Sequence, residues 1–251
     1  MRVAIVTGAS SGMGEEFCKQ LDRKGLDSIW IIARRADRLE ALSNNLSTDC
    51  RIISADLTDR SELDRIRTEL ESAAPDVRYL INCAGFGKFG NSWDIPIEDS
   101  RAMIDLNITA LVEMSNMCVP FMSDGSRIIE LCSASAYQSL YKLNVYASTK
   151  AFVKSYCGGL RKEVERKGIT VTEVSPGWVD TDFIRISKTT DAVPDKVFKH
   201  LLSKEDVVSK AMIDAEKGKK RSVSGSFYRF QIFLATHLSN MVSRVWRSYF
   251  N

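Results

Sequence analysis

Apolar positions in this chain follow two rhythms. Short unbroken runs occupy residues 3–7, 28–33, 51–56, 79–84, 127–133 and 170–175, with a weaker one at 222–224. They do not alternate with polar residues, which is the pattern of strands covered on both faces in a parallel sheet. Between them, apolar side chains return every three or four residues. Met13, Phe17 and Leu21 do so, then Leu39, Leu42 and Leu46, then Leu63, Ile66 and Leu70, and more loosely Met103, Leu106, Leu111 and Met114. That spacing gathers them on one face of a helix. Alternating strand and helix predict an α/β fold, a doubly wound parallel sheet of about seven strands with helices on both faces. No repeat or linker interrupts the pattern, so residues 1–251 are expected to form a single domain.

Composition sets limits on this picture. The chain has 251 residues, 44% of them apolar, enough for one substantial core. A formal charge of +3 is too small for a concentrated basic face, so no nucleic-acid partner is expected. The cysteines are Cys18, Cys50, Cys83, Cys118, Cys132 and Cys157, with no CxxC pair, and the histidines are His200 and His237. This argues against a zinc site, and no metal is expected. The cysteines read as reduced thiols of a cytoplasmic protein. The first residues enter a strand at once, without the apolar run of a leader peptide. No uncharged apolar stretch of about 18 residues suggests a spanning helix.

The first run ends in Thr7-Gly8-Ala9-Ser10-Ser11-Gly12-Met13-Gly14, and a helical pattern follows. Glycines there permit a tight turn and let backbone approach a pyrophosphate at a helix N-terminus, where unpaired N–H groups point outward. A plain glycine-rich turn would look similar. The position between a first strand and an amphipathic helix favours dinucleotide binding. The second run leads into Arg34 and Arg35, with no acid before Asp37. A carboxylate at that point suits a ribose 2′-hydroxyl, whereas an arginine fork suits a 2′-phosphate, so the expected cofactor is NADP(H). One of the two arginines could equally be the solvated start of the next helix.

Tyr146 and Lys150 stand four apart, which places phenol and ammonium on one helix face. A free phenol has a pKa of about 10, and a neighbouring ammonium favours its ionised form. A tyrosine tuned in this way can exchange a proton with a carbonyl or alcohol oxygen. Such pairs arise often by chance. This one lies thirteen residues after Ser133, which closes the run 127–133, with Ser135 and Ser139 as competitors in the following loop. Asn107 falls inside a helical pattern, where asparagine is a poor fit, and reads either as a surface residue or as a functional one.

The segment from Thr7 to Gly14, Asn82-Cys83-Ala84-Gly85, Ser133, Tyr146 with Lys150, and Pro176-Gly177 through Thr181 resemble the short-chain dehydrogenase/reductase family in order and spacing, over about residues 3–181. The resemblance implies a Rossmann-type fold and a ketone–secondary alcohol oxidoreductase. It implies cofactor contacts from Gly8, Ser10, Ser11, Gly12, Met13 and Gly14, and from Arg34 and Arg35, of which Arg34 is the more usual phosphate ligand. Asp56 and Leu57 would lie by the adenine, and Asn82, Ala84 and Gly85 by its ribose, although a structural role for Asn82 has equal weight. Tyr146, Lys150, Pro176, Gly177, Val179 and Thr181 would lie by the nicotinamide half, and Thr181 could also cap the next helix. The implied catalytic residues are Asn107, holding a water that links the lysine to solvent, Ser133 on the substrate oxygen, Tyr146 as acid/base, and Lys150 as its partner. Residues 1–125 would mainly bind cofactor, 126–202 would carry catalysis and substrate, and a homodimer or homotetramer is expected.

Two segments are less informative. Residues 182–202 mix Phe183, Ile184 and Ile186 with Lys188, Asp191 and Lys196, which suits either a substrate lid or an ordinary surface helix and loop. Residues 217–221 are basic, and Phe227, Phe230, Leu234, Leu238, Met241, Val245 and Tyr249 then recur at helical spacing beside Arg229, Arg244 and Arg247, with no acid. This reads as an amphipathic extension over 222–251. It would pack on the body or in a dimer, wall an apolar substrate pocket, or touch a membrane surface, the last not favoured. The tail resembles that of family members acting on steroid-like or long-chain substrates, which implies a bulky apolar ketone. The alternative function is a catalytically idle NADP(H) sensor or scaffold.

Overall fold

The computed structural model of the chain describes residues 1–188 and 193–250. Asp191 of the expected lid lies outside the described residues. Seven strands form one sheet: β1 (Arg2–Thr7), β2 (Ser28–Ala33), β3 (Cys50–Ser54), β4 (Asp76–Asn82), β5 (Arg127–Leu131), β6 (Thr170–Val174) and β7 (Arg221–Ser222). Their order is β3-β2-β1-β4-β5-β6-β7, and every neighbouring pair is parallel. The chain runs outward from β1 to β3 and then returns to β4 on the other side of β1. That reversal is the switch point at which a doubly wound sheet opens a crevice beyond the carboxyl ends of its strands.

Helices make the crossovers. On one face lie α1 (Gly12–Leu21), α2 (Ala36–Ser43) and α8 (Lys204–Glu216), which bury Phe17, Leu21, Leu39, Val208 and Ala211 against Ala4, Val6, Ile29 and Ile31. On the other lie α3 (Arg60–Ala73), α5 (Ala110–Cys118) and α6 (Asn144–Val164), which bury Ile66, Leu70, Met114, Val153 and Leu160 against Val3, Ile5, Trp30 and Ile32. The central strands are therefore buried on both faces, as their unbroken apolar runs predict. β3 departs from this expectation, because Arg51, Ile52 and Ser54 are exposed. It is an edge strand, and Arg51 lies over the Trp30 ring at 4.6 Å and pairs with Glu69 at 3.0 Å. A charged, partly open edge discourages pairing with another chain.

A third cluster lies beyond the carboxyl ends of the strands. Phe89, Ile95, Met103, Leu143, Phe198 and Trp246 belong to it, joining α4 (Ile97–Ile104) and the start of α6 to the C-terminal segment. That segment is two helices rather than one, α9 (Ser226–His237) and α10 (Ser239–Ser248), broken at Leu238. The expected apolar stripe is also rotated. Tyr228, Ile232, Ala235, Val242 and Trp246 face the body, while Phe227, Phe230, Leu238, Met241 and Val245 are exposed. The inward face is anchored by polar bonds. Trp246 Nε1 donates to the Tyr141 carbonyl at 2.7 Å, and the Tyr228 hydroxyl donates to the His200 carbonyl at 2.6 Å. The segment thus packs on the body. No helix among the described residues is long and apolar enough to cross a membrane.

Candidate active site

The crevice at the strand reversal is held open by Thr7. Its hydroxyl accepts from the backbone N–H groups of Cys83 and Ala84 at 3.0 and 3.1 Å, tying the end of β1 to the end of β4. The turn from β1 to α1 is very tight. Gly8 has φ +68°, and a Cβ on Gly14 would lie 2.2 Å from the Gly8 carbonyl oxygen, so this crossing admits only glycine. The first N–H groups of α1 are left facing the cleft, with the positive end of the helix dipole behind them.

The cleft holds about 530 Å³. Of the expected cofactor residues it brings together Gly8, Ser10, Ser11, Gly12, Met13, Gly14, Arg34, Arg35, Asp56, Leu57, Ala84, Gly85 and Thr181. The arginines differ. Arg35 spans the glycine-rich turn, its guanidinium donating to Ser10 Oγ at 2.9 Å and to Ser11 Oγ at 2.8 Å. Arg34 is 74% exposed and lies 3.6 Å from Asp56. Bare N–H groups at a helix end and a turn with no room for side chains fit the pyrophosphate of a dinucleotide.

Asn82 is elsewhere. It is buried beneath the cleft, where its amide donates to Ser115 Oγ at 3.0 Å and to Glu130 at 3.1 Å. Ser115 also donates to Glu130 at 3.0 Å. Asn82 does not line the cleft. Glu130 was not singled out by the sequence reading, although one acid within an apolar run was the available signal. Complete burial pushes its carboxyl up to about 7, against the opposing hydrogen bonds from Asn82 and Ser115.

Ser133, Tyr146, Lys150 and Asn107 converge where the cleft meets a smaller cavity. Ser133 follows β5, and its Oγ accepts from the Ser135 N–H at 3.1 Å. Ser133 and Tyr146 stand together in the wall of that cavity. Burial pushes the Tyr146 phenol above its ordinary value, and the nearby Ser133 hydroxyl works in the other direction. One turn along α6, Lys150 is buried. Its ammonium donates to the Leu131 carbonyl at 2.6 Å and lies 5.8 Å from the Tyr146 ring centroid. Burial pushes this ammonium down. The expected lowering of the Tyr146 pKa by Lys150 is not met in this geometry. The ammonium is held at a backbone carbonyl and over the ring, and desolvation dominates at the phenol.

Asn107 is fully buried, which removes the surface reading. It sits in one turn of π-helix, Asp105–Thr109, inserted between α4 and α5. Such a turn re-aims side chains and is frequent at functional sites. Its carboxamide accepts from Phe86 N at 3.1 Å and donates to Phe86 O at 2.9 Å and to Thr149 Oγ1 at 3.1 Å. Thr149 in turn donates to the Tyr146 carbonyl at 2.8 Å. Asn107 therefore clamps the loop after β4 to the helix that carries Tyr146.

The cavity beyond Tyr146 holds about 100 Å³. Pro176, Gly177, Val179 and Tyr146 line it, so these expected cofactor residues stand on this side of the junction. Its walls also include Leu140, Leu143, Trp178, Phe183, Tyr228 and Trp246. Phe183, from α7 (Asp182–Ser187), lies 5.3 Å from the Tyr146 ring. Tyr228 and Trp246 come from the C-terminal helices, so that segment packs on the body and walls a pocket at once. Trp178, Tyr228 and Trp246 were not anticipated, because nothing in their local sequence marks them as neighbours of Tyr146. No cluster able to hold a metal ion occurs among the described residues.

The sequence profile of the family described as short chain dehydrogenase matches residues 2–191. An uncharacterised oxidoreductase of Staphylococcus epidermidis is 34% identical over 182 residues, covering 72% of this chain and 79% of that protein. Serine 3-dehydrogenase of Rhizobium radiobacter is 33% identical over 181 residues, covering 71% of this chain and 72% of that protein. Among solved structures, a short-chain dehydrogenase from Sphingobium yanoikuyae in complex with NADPH matches with a TM-score of 0.80 at 23% identity, covering 96% of this chain and 95% of that one.

Proposed function

This chain belongs to the short-chain dehydrogenase family of oxidoreductases, and from that premise we propose that it interconverts a ketone and a secondary alcohol with NADP(H), using Tyr146 as acid/base. The observation that carries the reading is the placement of Ser133 and Tyr146 together in the wall of an apolar cavity beside the cleft. An idle nucleotide sensor has no use for two hydroxyls at the inner end of an apolar cavity.

The residues divide the work. Bound NADP(H) supplies or takes the hydride at its nicotinamide. Ser133 donates a hydrogen bond to the substrate oxygen and fixes its position. Tyr146 gives that oxygen a proton during reduction, or accepts one during oxidation. Tyr146 is protonated at neutral pH, as any phenol at or above its ordinary value is, and so holds the proton that reduction requires. Lys150 keeps a positive charge under the ring as the phenolate forms, while one of its protons stays on the Leu131 carbonyl. Asn107 holds the Phe86 loop and, through Thr149, the turn of α6 behind Tyr146. Preference for NADP(H) over NAD(H) is supported by Arg35 across Ser10 and Ser11 and by the absence of an acid before Asp37 in that turn. The NADPH in the Sphingobium relative agrees with it.

The test is consumption of NADPH by the purified chain with a panel of cyclic and acyclic ketones. Turnover is expected, and Tyr146→Phe should lower it by about a hundredfold or more, the usual worth of a general acid, while still binding NADPH. NADPH binding without turnover of any ketone would support the idle sensor. Full turnover in Tyr146→Phe would remove the assigned role.

A further inference from the structure

We infer that the substrate is a neutral, largely apolar ketone that carries a second hydrogen-bonding group, a hydroxyl above all, received by Gln138 and Gln231. This rests on the ketone–alcohol reading and adds the chemistry of the part that does not react. Gln138 follows the short helical turn after β5, and Gln231 lies on α9, 93 residues further along the chain. Both line the cavity that Ser133 and Tyr146 close at one end. Neither carboxamide hydrogen-bonds any described residue, and the Oε1 of each is buried without a partner.

A buried amide left unpaired costs about 1–3 kcal/mol, so proteins keep few of them. Ten buried side-chain polar atoms lack a partner among the described residues. Three of them, Ser135 Oγ, Gln138 Oε1 and Gln231 Oε1, belong to residues of this one cavity. Purely apolar substrates would be served better by leucine or methionine at both positions. A carboxamide both donates and accepts, which matches a hydroxyl on either count. Among the described residues, the cavity lining also contains no Lys, Arg, Asp or Glu. A carboxylate or phosphate on the substrate would meet no countercharge there and would be desolvated without compensation. Gln231 stands outside the stretch matched by the family profile.

The test uses three matched probes: a para-cyclohexyl cyclohexanone, the same ketone with a tertiary hydroxyl on its second ring, which has no hydride for NADP+ to take, and the same ketone with a carboxylate there. Affinity is measured by calorimetry on the NADP+-loaded protein, where the ketone cannot turn over, and kcat/KM is measured separately with NADPH. The hydroxylated ketone is expected to exceed the plain one by about tenfold or more in both readouts, as for sites whose polar groups need a partner, with the carboxylated one weakest. Gln138→Met and Gln231→Met preserve volume, and each should shrink the hydroxyl preference while NADP+ affinity stays intact. Equal binding of plain and hydroxylated ketones, strongest binding of the carboxylate, or a preference unchanged in both variants overturns the polar subsite. A hydroxyl preference in binding without turnover of any probe supports the subsite and overturns the ketone–alcohol reading alone. Turnover of all three with equal kcat/KM overturns the subsite alone.

Discussion

Arg34 and Arg35 are adjacent in sequence and differ in surroundings. Arg35 leaves the backbone in an extended conformation just before α2, and its guanidinium reaches Ser10 and Ser11. Arg34 remains in solvent near Asp56. We expect Arg35→Ala to weaken NADPH binding by about tenfold or more, the worth of one or two charge-assisted bonds, and to leave NADH binding nearly unchanged. Arg34→Ala should have the smaller effect. Fluorescence titration of both cofactors against both variants checks this, and equal wild-type affinities for NADPH and NADH would sink the phosphate clamp. The sequence revealed that a cation stood here, but selecting between neighbours depends on backbone direction, which residue identity does not encode. Tyr146 and Lys150 were easier to read, since helical periodicity alone puts them on one face. The Lys150 bond to Leu131 was not readable, because it crosses from a helix to a strand 19 residues earlier.

Elements were legible in proportion to how completely they are buried. The inner strands β1, β2 and β4 give largely apolar runs because helices cover both faces, while β5 and β6 carry the buried acids Glu130 and Glu173. The edge strand β3 mixes charged and exposed positions, and the two-residue β7 is hardly marked at all. The π turn at Asn107 could not be seen, since one inserted residue leaves the apolar spacing on either side nearly intact. Glu130 shows what a strand can hide. It joins β4, β5 and α5 through Asn82 and Ser115, and its carboxyl is pushed up to about 7 from an ordinary 4.5. Between those values the folded chain binds more protons than the unfolded chain, so stability falls as pH rises through that window and levels off above it. The shift corresponds to roughly 3 kcal/mol. Thermal unfolding should therefore show Tm declining from about pH 5 to about pH 8. Glu130→Gln should flatten that slope and raise Tm at the upper end. Parallel profiles for the two proteins would show that the carboxyl does not titrate in the folded chain.

Across the whole molecule, cofactor and substrate sides were legible to different degrees. The cleft is built from short motifs at the ends of successive strands, which their order and spacing along the chain make recognisable. The substrate cavity is assembled from residues 138, 178, 183, 228, 231 and 246, which meet only once α9 and α10 fold back over the sheet. Trp246 holds that closure. It is 9% exposed, bonds to the Tyr141 carbonyl and packs 5.5 Å from the Phe250 ring. Trp246→Ala should cost about 3–5 kcal/mol if the side chain is fully packed, less if α10 relaxes, with Tm falling by about 2–4 °C per kcal/mol. The functional effect should be one-sided. KM for bulky ketones should rise by about tenfold, since a lost wall removes apolar contact from the substrate. NADPH affinity should stay within about twofold, because Trp246 does not line the cofactor cleft. The comparison is sharpest against Arg35→Ala, which should do the reverse. If Trp246→Ala weakened NADPH binding as much as ketone binding, cleft and cavity would be coupled through the C-terminal helices. The fold would then carry one cooperative site rather than two adjoining ones.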